Sequence, residues 1–134
     1  MKKKLTVILM LISLFFSGCL PLVFIGGAAI GVGGYKYYNG ALVVIYQTSF
    51  DKTWNASVAA MEKMGYEIYE RNRKIASGKM VTTGKSTESI KLTIKYVSLE
   101  ETEVKIRVGL MGDEGVSNKI KDKISELAFG TVTE

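Results

Sequence analysis

The sequence predicts an α+β fold for residues 41–134: two layers, with two helices on one face of a mostly antiparallel sheet of about five strands. Three observations predict it. Two stretches repeat their apolar residues at helical spacing, two others alternate between apolar and polar residues, and a short turn joins the alternating pair. The resulting order is β-α-β-β-β-β-α.

Along the chain, residues 41–47 are β-branched and aromatic and predict the first strand. Thr48 or Ser49 then offers a hydroxyl to cap the following helix. Phe50, Trp54, Val58 and Met61 form that helix's apolar face, and Gly65 ends it. Trp54, the single tryptophan, sits on this stripe and is expected to anchor the core rather than stack on a ligand. Residues 66–70 and 79–83 read as two further strands, separated by the polar Arg71, Asn72, Arg73 and Lys74.

The strongest strand signals come next. Ile90, Leu92, Ile94 and Tyr96 alternate with Ser89, Lys91, Thr93 and Lys95, and Val104, Ile106, Val108 and Leu110 with Glu103, Lys105, Arg107 and Gly109. Period-two alternation of this kind belongs to a sheet covered on one face only. Residues 98–101 are expected to close the two runs into an antiparallel hairpin. Asp113 and Glu114 open the last helix, where carboxylates suit the positive end of the helix dipole. Adjacent helical positions do not face one another, so these two acids do not read as a catalytic pair. Val116, Ile120, Ile124 and Leu127 give the helix its buried stripe, with Lys119, Lys121 and Lys123 held off it.

Everything before residue 41 has a different composition. Lys2, Lys3 and Lys4 precede an apolar run of 12 residues, 5–16, interrupted only by Thr6 and Ser13. That run is short for a bilayer span, which needs about 20 residues, but it fits the core of an export signal. Ser17, Gly18 and Cys19 follow, and the tetrapeptide they complete resembles the lipobox of bacterial lipoproteins, with Phe16 where Leu is usual. The resemblance implies a signal peptide over residues 1–18, cleavage before Cys19, and acyl chains such as palmitate on Cys19 that hold the protein to a membrane. Leu20, standing where inner-membrane retention uses Asp, implies by the same resemblance an outer-membrane lipoprotein facing the periplasm. Residues 19–40 are then the lipidated cysteine and a Gly-rich apolar neck, and residues 41–134 a periplasmic domain. Residues 20–34 carry no charge, and Gly27 and Gly31 have the small-xxx-small spacing that lets helices approach in lipid. The neck is therefore read as an interfacial linker or as a route to an oligomer.

Composition narrows the chemistry. The chain of 134 residues has no histidine and one cysteine, which excludes Ser-His-Asp and Cys-His catalysis, internal disulfides and thiolate zinc sites. No metal or other cofactor is implied, and a non-enzymatic role is expected. The net charge of +5 is mostly in the leader: without Lys2, Lys3 and Lys4, 15 Lys and Arg face 13 Asp and Glu, leaving +2. With no basic run interleaved with aromatics, nucleic acid is not an expected partner.

Several short motifs share a pattern known from elsewhere: Gly18-Cys19 followed by Pro21-Leu22, the Gly/Ala-rich neck, Tyr38-Asn39-Gly40, Trp54, Ser77-Gly78-Lys79, and Lys105-Ile106-Arg107-Val108-Gly109 leading into Gly112-Asp113-Glu114. On these the chain resembles the bacterial lipoproteins grouped as domain of unknown function 3568. The resemblance implies an envelope lipoprotein with one small domain, and no site residues or activity. Together with the absent catalytic inventory, it points to an anchored domain that binds an envelope protein or a cell-wall partner. Lys91, Lys95, Lys105 and Arg107, four of the six outward positions of the predicted hairpin, are the candidate contact residues. The alternative is a small carrier or sensor holding an apolar ligand between helices and sheet, lined by Met61, Met64, Met80 and Met111.

Overall fold

The computed structural model describes residues 1–8, 31–83 and 88–130. Residues 2–8 are helical. The remainder forms one α+β unit with strands β1 (Val32–Tyr38), β2 (Ala41–Tyr46), β3 (Glu67–Arg73), β4 (Ser77–Thr83), β5 (Ser89–Ser98) and β6 (Glu101–Val108), and helices α1 (Phe50–Lys63) and α2 (Glu114–Phe129). The sheet is antiparallel throughout, in the order β1-β2-β6-β5-β4-β3. Both helices pack on one face, over a core that includes Leu42, Val44, Trp54, Met61, Leu92, Ile106, Ile120 and Ile124.

The class is the expected one, with six strands rather than about five. The additional strand, β1, lies in the stretch read as neck. Its hairpin with β2 turns through Asn39 and Gly40, both at positive φ (50° and 74°), as a two-residue type I′ turn requires. Gly31 just ahead of it is also part of the domain. Its φ is +75°, its carbonyl accepts from the Gln47 N–H at 2.7 Å, and an added Cβ would overlap the Phe129 ring. The Gly27/Gly31 spacing therefore serves no free neck helix at its second member, while Gly27 and Cys19 lie outside the described residues.

Local chemistry explains the helices. The Ser49 hydroxyl accepts from the Lys52 N–H to start α1, and the Asp113 carboxylate accepts from the Val116 N–H at 2.9 Å to start α2. Two expectations about the second helix and the strand before it need correction. Lys121, placed off the buried stripe, is only 4% exposed. Its stem lies in the packing while its ammonium reaches the Tyr35 ring, 3.8 Å from the centroid, and Asp122 at 3.5 Å. Leu110, placed on the inward face of β6, is outside the strand and exposed, because Gly109 (φ 66°) ends the ladder at Val108.

Tyr46 at the end of β2 is fully buried, and its hydroxyl donates to the Lys121 carbonyl at 2.9 Å. Burial, with a smaller contribution from the Asp122 charge, pushes its pKa well above the ordinary 10.0. Below the unfolded value both states are protonated and this contribution to stability is complete. Above it the unfolded chain ionises first, so stability falls by about 1.4 kcal/mol per pH unit until the folded phenol also ionises. Denaturant unfolding above pH 10 should show this slope in the native protein and lose it in Tyr46→Phe. Parallel pH curves for the two would show that Tyr46 ionises freely in the fold.

Candidate partner-binding face

The sheet face opposite the helices is uncovered, and the six strands bring its outward residues into rows. One row runs Lys36–Val43–Lys105–Thr93–Lys79–Asn72, a second Tyr38–Ala41–Arg107–Lys91–Val81–Glu70, and a third Gly34–Ile45–Glu103–Lys95–Ser77. Lys91, Lys95, Lys105 and Arg107 all lie on this face, as the alternation predicted. The register separates them into three kinds of residue.

Lys95 stands directly opposite Glu103, a favourable opposite charge across the ladder, although the two side chains make no salt bridge. Arg107 reaches along the face to the strand end, donating to the Asn39 carbonyl at 3.1 Å and the Leu110 carbonyl at 2.7 Å. It braces the β1–β2 turn against the loop after β6, and with two carbonyls satisfied it is a structural residue first. Lys91 and Lys105 are exposed, Lys91 opposite Arg107 and Lys105 between Val43 and Thr93. Neither faces a carboxylate across the ladder, and like charges directly opposite cost a few tenths of a kcal/mol or more.

Lys36 and Lys79 extend the face beyond the four residues singled out from sequence. Lys79 is paired with Glu70 at 3.0 Å. Lys36 is exposed on β1, two strands from Lys105 and thus about 10 Å from it. Among the described residues, Lys36, Lys91, Lys95 and Lys105 are in no salt bridge, and of these four only Lys95 has a carboxylate opposite it. Acids occupy the margins: Glu67 and Glu70 on edge strand β3, Glu101 and Glu103 at one end of β6. Positive charge is therefore concentrated in the middle of β1, β6 and β5. Where β5 and β6 meet the 109–112 loop, a cleft of about 570 Å³ opens beside Lys91 and Arg107, lined also by Glu88, Asp113, Leu110 and Met111.

The methionines do not frame a ligand chamber between the layers. Met61 and Met80 are fully buried core side chains, Met64 packs against the core, and Met111 is 91% exposed in the loop after β6. Among the described residues no group of three or more Asp, Glu, His or Cys could hold a metal ion, and no helix is long and apolar enough to cross a membrane.

The family model described as Protein of unknown function (DUF3568) matches residues 2–127, nearly the whole chain from the first lysines to the last turns of α2. The chain belongs to that family. The DUF3568 match takes in the N-terminal segment, the sheet, α1 and most of α2, in keeping with the resemblance carried by the short motifs. Among curated proteins, none matches the chain.

Proposed function

We propose that this protein is an envelope lipoprotein, cleaved before Cys19 and held to the outer membrane by lipid on that residue, whose domain is a non-enzymatic binding module. It meets an acidic partner, a protein or a wall polymer, through the open face of its sheet. The observation that carries the reading is the cluster of exposed lysines, Lys36, Lys91 and Lys105, that the sheet leaves without carboxylates opposite. An anionic partner relieves the repulsion between Lys91 and Arg107 and supplies the missing counter-charge. The lipobox-like Ser17-Gly18-Cys19 after a charged and then apolar leader supports the anchor.

The test replaces Lys36, Lys91 and Lys105 together with Gln in the full chain, keeping Arg107 because it braces two turns. Crosslinking in the intact envelope should then lose its partners, and their capture by the native protein should fall when salt is raised before the crosslink is made. Recovery of the same partners at the same salt sensitivity, with the fold retained, rules this face out as the binding site.

A further inference from the structure

Val32, Tyr46, Thr102 and Tyr96 form one row across β1, β2, β6 and β5, and the Tyr96 N–H donates to the Ala76 carbonyl at 2.9 Å, carrying the row to the β3–β4 turn. Gly31, through which the chain from Cys19 joins the sheet, lies just beyond this row, about 10–15 Å from the β5–β6 turn and about 20–25 Å from the β3–β4 turn by strand spacing. Those two turns present large apolar side chains to solvent: Ile75 is 99% exposed, Leu99 81%, with Val97 at 47% and Tyr96 at 43% on the strand leading into the turn. Single exposed apolar residues need no account, but four at one end of a sheet make a patch of the kind that marks a contact.

We propose that this end of the sheet docks on the bilayer that holds the anchor, with Ile75 and Leu99 inserted at the headgroup level and Tyr96 and Val97 against it. The inference rests on the reading of Cys19 as lipidated. Residues 20–30 separate Cys19 from Gly31, a tether of at most about 40 Å that enters the domain at this end, so the anchor holds this end near the membrane at a higher effective concentration than the opposite one. Residues 20–34 are uncharged, so no charge in the tether opposes a close approach. The contact is apolar. Lys74 at the β3–β4 turn favours an anionic surface and Glu100 and Glu101 beside Leu99 oppose it, while Arg73 is paired with Asp51 and Lys95 stands opposite Glu103. Tyrosine at the rim suits a headgroup layer. Docked in this way, the strands rise from the membrane, the lysine face looks sideways, and Leu110 and Met111 point away from the lipid.

The test uses the full chain purified with its lipid and reconstituted into phosphatidylethanolamine–phosphatidylglycerol vesicles. An environment-sensitive fluorophore is attached in separate variants at Ile75→Cys, Leu99→Cys and Leu110→Cys, all solvent-exposed positions whose substitution leaves the core intact. Nitroxide-bearing lipids should quench the probes at 75 and 99 severalfold more than the probe at 110. The contrast should persist in about 1 M salt, where the Debye length is only about 3 Å. The mass of the N-terminal peptide is read on the same samples. If Cys19 carries lipid but positions 75 and 99 are as wet as 110, the docking is wrong and the anchor stands. If Cys19 is unmodified, the anchored reading fails and the docking falls with it.

Discussion

Trp54→Ala should cost about 3–5 kcal/mol of stability, the range for truncating a large buried aromatic. In a domain of this size that lowers the melting temperature by roughly 12–40 °C. The indole is 4% exposed, stacks on Phe50 at 6.4 Å between centroids, and lies under the Arg73 guanidinium, which is 5.8 Å from its ring and also pairs with Asp51. Its other boundary is Gly78 in β4, where any Cβ would overlap the ring. Removing the indole therefore opens a hole that no neighbouring side chain is placed to fill, since the residue beneath has none. Gly78→Ala should show the complementary defect by forcing the ring off its site. Because Trp54 is the only tryptophan, its emission reports the Gly78→Ala change: blue-shifted in the native protein, red-shifted as the ring becomes wet, while Trp54→Ala is read by its thermal melt. A melt shift near zero for Trp54→Ala would remove it from the core.

Gly112→Ala should be nearly as damaging, at about 3 kcal/mol, for a reason that has nothing to do with apolar burial. Gly112 has φ 84°, where an L side chain is strained, and an added Cβ would overlap the Gly40 carbonyl oxygen and the Tyr37 hydroxyl. The obstacle on the Gly40 side is backbone, in a turn that is itself fixed by two positive φ values, so it cannot move aside without breaking the hairpin. Gly34→Ala is the control: it sits on β1 with no heavy atom within 4 Å of its added Cβ, and thermal melts should place it within about 0.5 kcal/mol of the native protein. Equal stability of the Gly112 and Gly34 variants would contradict the close approach of the two turns.

Which parts of this were readable from sequence follows from what each part depends on. The helices and the β5–β6 hairpin announce themselves because one side of each is buried, and burial writes a period into the chain. Edge strand β1 has little to bury: Lys36 and Tyr38 face the open side, Gly33 and Gly34 interrupt its alternation, and only Val32 and Tyr37 are partly covered. Its clearest signal was the Asn39-Gly40 pair between two strand-like runs, a turn signature independent of hydropathy. Missing β1 also hid Lys36. For the lysine face, alternation places Lys91, Lys95, Lys105 and Arg107 on one side, but whether Lys95 meets Glu103 or Lys105 is set by pairing across strands. Arg107 and Lys121 show a further limit. Long side chains end far from their Cα, so a pattern of positions does not say that one guanidinium braces two turns or that one ammonium sits over a tyrosine ring.

The pairing of β2 with β6 has a consequence for how the chain reaches this state. Ala41 lies beside Arg107, so the second strand of the sheet must wait for the sixth before its inner edge is matched. Until then the β1–β2 hairpin stands alone, and a lone two-stranded ribbon in water is marginal. The β3–β6 meander can zip up by local contacts, but the two halves merge only by closing a long loop that carries α1 within it. Synthesis from the N-terminus thus delivers the first hairpin early and its mate late. In that interval Leu42 and Val44 have no core to enter, and the bare edge of β2 is the part of the molecule most open to pairing with another chain.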